Sequence, residues 1–206
     1  MNFYNSKLAQ KKYGDAIENI GLWKSEKYIF NKYVKKDAKI LDLGCGTGRT
    51  TINLYKIGYI NIIGIDNAKK QLKIAKDYIK KNNLPISFIN CNAKRLPFKN
   101  QSFDIAFFSF NGLMTIKKKE KVFDEIYRIL KKDGLFIFTA HNKDEINSNI
   151  KLNYYIHLSN IEELKKTIDD NKFEILEIKS RKDICKENIA VTLFSDNTYF
   201  WVLKKL

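Results

Sequence analysis

Short apolar runs and longer amphipathic stretches take turns along the chain. Apolar runs that end at turn residues are typical of buried strands, whereas apolar residues spaced three and four positions apart are typical of helices. The strand pattern occurs at residues 40–43, 60–66, 86–90, 103–109, 135–138, 173–179 and 199–203. The helix pattern occurs at residues 25–34, 49–57, 69–82, 117–130 and 161–170. Alternating strands and helices predict an α/β protein with a largely parallel sheet, closed by an antiparallel pair formed by the last two strands.

Residues with good capping chemistry stand at several of the predicted helix ends. Ser25 is predicted to cap the first helix and Asn160 the last, because a short polar side chain can accept from first-turn N–H groups. Gly58 suits the end of the second helix, where a left-handed residue is common. Residues 130–134 are predicted to form a turn that leads into the fifth strand.

The first predicted strand passes directly into a glycine-rich turn. Glycine occupies every second position at Gly44, Gly46 and Gly48, and a helix pattern follows at once. Glycine allows backbone angles closed to other residues, and the N–H groups at a helix N-terminus attract negative charge. The stretch therefore predicts a strand, a tight turn and a helix that together bind a small, partly anionic ligand.

The residues around this turn narrow the choice of ligand. A dinucleotide fingerprint needs a third glycine where Arg49 stands, and a phosphate-binding loop needs a Gly-Lys-Ser/Thr run that the chain lacks. Asp42 would repel a pyrophosphate but suits a ligand with a cationic group. S-adenosylmethionine carries an ammonium, a sulfonium and a carboxylate, and so fits this turn. A glycine-rich turn in another kind of α/β protein is the alternative.

The pattern Asp42-x-Gly44-x-Gly46-x-Gly48 resembles the first motif of class I S-adenosylmethionine-dependent methyltransferases. The resemblance implies a doubly wound, Rossmann-like α/β fold with helices on both faces of a seven-stranded mixed sheet, in the strand order 3-2-1-4-5-7-6. It also implies S-adenosyl-L-methionine as the cofactor. The cofactor-binding residues expected in this first motif are Asp42, Gly44, Cys45, Gly46, Thr47 and Gly48.

Asp66 ends the second predicted strand, 20 residues beyond Gly46. An acid at this place lies next to the ribose of a bound nucleoside and can accept from both hydroxyls. The Gly-x-Asp ending resembles the second methyltransferase motif, although NAD enzymes place an acid similarly. The alternative is that Asp66 caps the next helix, but Asn67 is available for that cap.

The segment from Cys91 to Asp104 resembles a methyltransferase stretch written G-D-A-x-x-L-P-F-x-x-x-S-F-D. In the family the acid accepts from the adenine amino group, and here Asn92 stands in its place with an amide oxygen that can also accept. Ala93 would leave room beside the adenine ring. After the fourth strand, Ser109 and Phe110 are expected to border the methionine part of the cofactor.

Three residues are candidates for the catalytic step. His141 follows the fifth strand and could act as a general base, since histidine changes charge near neutral pH, or it could be a structural histidine bonded to the backbone. Asn111 is expected to face the acceptor. Tyr13 belongs to an aromatic-rich N-terminal segment that, in families resembling this one, closes over the cofactor; its aromatic residues could instead simply pack on the sheet.

Composition limits the remaining choices. The chain carries a formal charge of +15, but its lysines are spread along the whole length and it has few arginines, so a nucleic-acid partner is not favoured. Three separated cysteines and two histidines predict free thiols and no metal site. The sequence has neither an apolar run long enough to span a bilayer nor a signal-peptide core, which predicts a cytoplasmic protein with no membrane association.

These observations predict one domain over residues 1–206, made of an N-terminal helical cap (1–38), a cofactor-binding core (39–141) and a substrate-side insert with a C-terminal hairpin (142–206). The predicted activity is methyl transfer to a nitrogen or oxygen nucleophile of a small molecule, by a monomer or homodimer. An RNA or protein methyltransferase that uses the basic surface is one alternative. A non-catalytic regulatory subunit that binds the cofactor is the other.

Overall fold

Helices and strands alternate along the chain in the predicted order. The computed structural model describes residues 6, 14–109, 112–145, 157–169, 172–184 and 198–206. The helices are α1 (Ala16–Asn19), α2 (Lys24–Tyr33), α3 (Arg49–Lys56), α4 (Lys69–Lys81), α5 (Glu120–Ile129), α6 (Ile161–Asp169) and α7 (Arg181–Ile184). The strands are β1 (Ile40–Leu43), β2 (Ile62–Asp66), β3 (Ser87–Asn90), β4 (Phe103–Phe108), β5 (Leu130–His141), β6 (Phe173–Ser180) and β7 (Thr198–Lys205). Short 3-10 helices lie at Leu113–Thr115 and Lys143–Glu145.

The strands form a seven-stranded sheet in the order β3-β2-β1-β4-β5-β7-β6. The pairs β1–β2, β2–β3 and β4–β5 are parallel, whereas β7 runs antiparallel to both β5 and β6. The predicted fold class, strand order and antiparallel edge pair are thus confirmed.

The chain divides into two compact units, residues 1–98 and residues 99–206. In the first unit the register pairs Leu43 with Ile65 across β1 and β2, and Asp66 with Asn90 across β2 and β3. The carboxyl ends of these three parallel strands therefore meet at one edge of the sheet, where ligands of α/β proteins bind.

The core of the first unit brings α3, α4 and β3 together beside the glycine turn. The buried residues of this cluster are Ile17, Cys45, Ile52, Leu72, Ala75, Ile86 and Phe88. Because Cys45 lies in the turn itself, the turn is anchored from below by the same apolar contacts that hold the unit together.

Aromatic rings fill the core of the second unit. The Phe123 ring on α5 makes edge contacts with Phe136 and Phe138 of β5, at centroid distances of 5.4 and 5.8 Å. Phe138 also stacks on Trp201 of β7 at 5.7 Å. Such ring pairs add about 0.5–1.5 kcal/mol each beyond their burial, and they fix β5 against both neighbours.

The caps of α3 and α6 are as predicted, but the start of α2 is not. Gly58 has a φ of 98°, and the Asn160 side chain accepts from the Glu163 N–H at 2.9 Å. Ser25, however, lies inside α2 and is fully buried, so the prediction that it caps the helix is wrong. The Glu26 carboxylate accepts the Trp23 backbone N–H at 2.9 Å instead, and the N-cap is Trp23, two residues upstream of Ser25.

The turn predicted at residues 130–134 lies inside a strand. Phe103 pairs with Leu130 and Ile105 with Leu135. Between these two pairs the chain advances two positions in β4 and five in β5. The extra residues form an irregularity in which Asp133 has a φ of 61°. A Cβ at Gly134 would lie 2.9 Å from the Lys131 carbonyl oxygen, which explains the glycine there.

Candidate functional site

The glycine turn adopts the backbone that its sequence predicts. Gly44, Gly46 and Gly48 have φ values of 62°, 55° and 86°, in the left-handed region that side chains disfavour. Gly48 is the N-cap of α3 and has no side chain with which to bond the first-turn N–H groups. The positive end of the helix dipole therefore faces the turn without a side-chain cap from this residue.

Two glycines of the turn differ in what surrounds them. A Cβ on Gly48 would lie 2.8 Å from Phe88 and 3.1 Å from the Ala75 Cβ, so this position is closed by packing. A Cβ on Gly46 would have no atom of the described residues within 4 Å. The turn is thus closed on its inner side and open beside Gly46, as a cradle for a ligand must be.

Asp66 joins the turn to the next helix. One carboxylate oxygen accepts the Gly46 N–H at 2.8 Å and the other accepts the Ala68 N–H at 2.7 Å. Burial raises the pKa of Asp66, against these N–H donors and that of Asn67, which lower it. Asp66 therefore also supports the helix start, as the alternative held, and Asn67 does not cap α4, whose N-cap residue is Ala68.

Asp42 lies beneath the turn rather than on the surface. Its side chain is buried, and the Thr51 hydroxyl of α3 donates to it at 2.6 Å. Burial raises the pKa of Asp42 to about 7, against the Thr51 hydrogen bond and the Arg49 charge, which lower it. The structure thus adds Thr51, which sequence reasoning missed, to the residues around the turn.

A second missed group is a buried ion pair beside the turn. Arg49, the first residue of α3, forms two hydrogen bonds with Glu26 of α2. The two residues are 23 positions apart, and no local pattern connects them.

The segment after β3 follows the turn at the same edge of the sheet. The Cys91 N–H donates to the Asp66 carbonyl oxygen at 3.1 Å. Asn92 is exposed, and its side-chain oxygen accepts the Lys94 N–H at 2.9 Å, which leaves one lone pair on that oxygen for another donor. Ala93 is half-buried. The first unit therefore brings Asp66, Asn92 and the glycine turn together, as predicted.

The thiols near this edge are poor nucleophiles. Cys45 and Cys91 are free cysteines, and burial raises the pKa of both, to about 11 for Cys91. Both thiols are therefore protonated near neutral pH.

In the second unit, the predicted residues lie at the carboxyl ends of β4 and β5. Ser109 is buried, and its carbonyl oxygen accepts the Gly112 N–H at 3.4 Å. His141 is buried, with its Nδ1 atom 3.1 Å from the Thr198 hydroxyl of β7. The remaining candidates, Tyr13, Phe110 and Asn111, lie outside the described residues.

The described residues contain neither a metal-binding cluster nor a membrane-spanning helix. Within the described ranges, no group of three or more His, Cys, Asp or Glu side chains could hold a metal ion. No helix in that same part of the chain is both long and apolar enough to cross a membrane.

A mixed sheet of this order, with a glycine turn after β1 and an acid at the end of β2, is typical of class I S-adenosylmethionine-dependent methyltransferases. Comparison with known proteins agrees. Residues 40–134 match the family model described as a methyltransferase domain, which supports a class I S-adenosylmethionine-dependent methyltransferase. The cofactor of the family is S-adenosylmethionine.

Two known proteins are similar to this chain over about two thirds of its length. An uncharacterised protein of Methanocaldococcus jannaschii is 38% identical over 148 residues, which is 72% of this chain and 54% of that protein. A ubiquinone/menaquinone biosynthesis C-methyltransferase of Campylobacter jejuni is 31% identical over 65% of this chain and 57% of its own length. The chain thus spans little more than half the length of these relatives.

A solved structure has the same fold. A putative sarcosine dimethylglycine methyltransferase from Galdieria sulphuraria superposes with a TM-score of 0.75, at 17% identity, over 98% of each chain. At this identity the likeness concerns the fold alone.

Proposed function

We propose that this protein transfers the methyl group of S-adenosylmethionine to a small-molecule acceptor. The observation that carries the proposal is the open cradle at Gly46, whose N–H donates to Asp66 at 2.8 Å while the space beside its Cα is empty of described atoms. A ligand can therefore lie against bare main chain next to a carboxylate.

The donors and acceptors of this cradle fit the cofactor's groups. The methionine carboxylate would lie at the glycine turn, where the N-terminus of α3 offers N–H groups and a favourable dipole. The ribose hydroxyls would donate to Asp66, since each of its oxygens has a lone pair beyond the N–H bond it accepts. The adenine amino group would donate to Asn92, with Ala93 beside the ring.

The acids below and beside the turn suit the cofactor's positive charges. Asp42 is buried beside the turn, and its ionised form would attract the ammonium group across the low-dielectric interior, so that cofactor binding would itself favour ionisation. The bound cofactor supplies an electrophilic methyl group. The residues Cys45, Thr47, Asn67, Ser109 and Phe110 complete the set that we assign to cofactor binding.

The protein's share of the methyl transfer is alignment. Holding donor and acceptor in line can supply about 7–11 kcal/mol of the barrier reduction, without a covalent intermediate on the enzyme. An amine acceptor needs only a neutral lone pair, whereas a hydroxyl benefits from a base. We assign that role to His141, with Asn111 and Tyr13 as acceptor contacts.

The choice of acceptor rests on the relatives. The C. jejuni relative is named as a quinone C-methyltransferase, which extends the proposed acceptors from nitrogen and oxygen nucleophiles to activated carbon. In each case the proposed acceptor is a small molecule, and the three cases differ in the atom that is methylated. The charge of +15 favours RNA as the second candidate, for which lysines would have to surround the cofactor mouth.

Two measurements test the proposal. Calorimetry with S-adenosylhomocysteine should give a single site, and mass spectrometry of extracts incubated with the protein and isotopically labelled cofactor should show the label in a small molecule. Label in RNA instead would favour the second candidate, and affinity for that RNA should then fall steeply with salt. A protein that binds the cofactor but labels nothing would support the regulatory alternative.

A further inference from the structure

Arg49 and Glu26 form a buried, two-pronged ion pair beside the glycine turn. The Arg49 Nη1 and Nη2 atoms lie 2.8 and 2.7 Å from the two carboxylate oxygens of Glu26. The side chains are 11% and 0% exposed, respectively. A planar guanidinium bound at two points to a carboxylate has one geometry, so the pair fixes orientation as well as distance.

The pair also holds the segment that precedes α2. Arg49 Nη1 donates to the Gly21 carbonyl oxygen at 2.7 Å, and its guanidinium carbon lies 4.8 Å from the Trp23 ring centroid. The Trp23 N–H donates to Glu26 at 2.9 Å. Gly21, Trp23 and Glu26 are therefore joined to the first residue of α3 by connected hydrogen bonds that are buried or partly buried.

Stability alone does not explain such a pair. Removing two charges from water costs about as much as their attraction returns, so an apolar pair of similar volume would stabilise the fold as well. What an apolar pair would not provide is the fixed angle of the guanidinium.

The residue that the ion pair holds in place, Arg49, lies next to the glycine turn. Arg49 directly follows the N-cap Gly48 and is the first residue of α3, so it belongs to the turn whose N–H groups lack partners within the helix. Gly48, with a φ of 86°, gives the backbone no side-chain cap there. The Arg49 side chain is therefore an external tie that sets the direction of these N–H groups.

We propose that Arg49 and Glu26 are positioning residues for the cofactor. Their pair sets the first turn of α3 to receive the methionine carboxylate of S-adenosylmethionine, and so links the N-terminal segment to cofactor affinity. This inference rests on the proposed function, because that function assigns the carboxylate to this turn.

The test separates the amino-acid end of the cofactor from its nucleoside end. The double variant Glu26→Gln/Arg49→Met leaves no buried unpaired charge, and its folding is checked by circular dichroism. Calorimetry with S-adenosylhomocysteine should show binding about tenfold weaker than in the wild type, the loss expected when one hydrogen bond to the charged carboxylate is misdirected. Binding of 5′-methylthioadenosine, which lacks the amino acid, should change by less than about twofold, because Asp66 still holds the ribose.

A conservative variant and a core variant complete the design. Arg49→Lys keeps the charge but loses the two-pronged geometry, and it should weaken the same probe selectively. It also serves if the double variant does not fold. Ile29→Val, in the buried face of α2 but outside the ion pair, should leave the affinity ratio of the two probes unchanged.

The outcomes are distinct. Wild-type protein that binds neither probe contradicts the proposed function itself. Wild-type binding with an unchanged ratio in both Arg49 variants, or an equal loss for both probes, overturns the positioning role and leaves the pair as a support of the fold.

Discussion

The same substitution at two glycines of one turn gives a sharp test of the site's geometry. Gly46→Ala and Gly48→Ala add one methyl group each, two positions apart, to residues with φ values of 55° and 86°. Both changes place a side chain in the left-handed region, at about 1–2 kcal/mol. Both also reduce the entropy of the unfolded chain equally, so that effect cancels in the comparison.

The packing around the two positions sets them apart. At Gly48 the new Cβ would lie 2.8 Å from the Phe88 ring, 3.0 Å from Ile52 and 3.1 Å from Ala75. Ala75 has no flexible side chain to move, so α4 itself would have to shift, and such overpacking costs about 1–3 kcal/mol more. At Gly46 the methyl group enters the open space of the cradle, and no packing term is added.

We therefore expect Gly48→Ala to lower the free energy of unfolding by about 2–5 kcal/mol, and Gly46→Ala by about 1–2 kcal/mol. Urea unfolding followed by circular dichroism measures both. Gly46→Ala should weaken S-adenosylhomocysteine binding well beyond what its stability loss explains, because its methyl group occupies the ligand's place. Equal stability losses would refute the packing argument, and unchanged binding in Gly46→Ala would show that the ligand lies elsewhere.

Three further predictions follow from the acids and the histidine. Because the folded-state pKa of Asp42 is raised to about 7, its contribution to stability is present below pH about 4 and is lost as pH rises to about 7. The free energy of unfolding of Asp42→Asn, measured in urea across this pH range, should lack the decline. Parallel pH curves for the variant and the wild type would contradict the prediction. Asp66→Ala should weaken cofactor binding and lower the free energy of unfolding by about 1–3 kcal/mol, since two N–H groups lose their acceptor; calorimetry showing unchanged affinity would remove its ribose role. His141→Ala should slow turnover more than it weakens cofactor binding, whereas a rate that falls equally in Thr198→Val would point to the His141–Thr198 bond as a structural contact.

Local patterns were sufficient to predict the sheet and the turn. Apolar periodicity and the alternation of elements depend on residues close in sequence, and the strand order came from the family resemblance. The start of α2 is an exception, because it depends on packing as well as on the local sequence. Ser25 had the right chemistry for a cap, but Glu26 accepts the Trp23 N–H first, and a capping residue cannot be told from a core residue until the helix has a neighbour.

The site could be predicted only at the turns and strand ends, which short sequence motifs identify. Gly46 and Asp66 could be paired from sequence, because two parallel strands of known length bring their ends together. Thr51 and Glu26 could not, because their roles arise from the packing of α3 on β1 and of α2 against α3, which short-range spacing in the sequence does not indicate. The subdivision of the chain at residues 38 and 141 and the closing role of the N-terminal segment stay predictions.

The chain as a whole is positively charged, whereas acidic side chains lie at the glycine turn. The sequence carries a net charge of +15, yet the carboxyl groups of Asp42 and Asp66 lie at the turn, and the Arg49 guanidinium beside them is paired with Glu26. Glu26 cancels that guanidinium, so the remaining carboxyl groups favour a cationic ligand and oppose a polyphosphate. Lysines that keep water around them act only across a screened distance of about 8 Å at physiological salt. A basic surface and a site for a sulfonium nucleoside can therefore coexist in one chain, and the charge of +15 is no guide to the ligand that this turn selects.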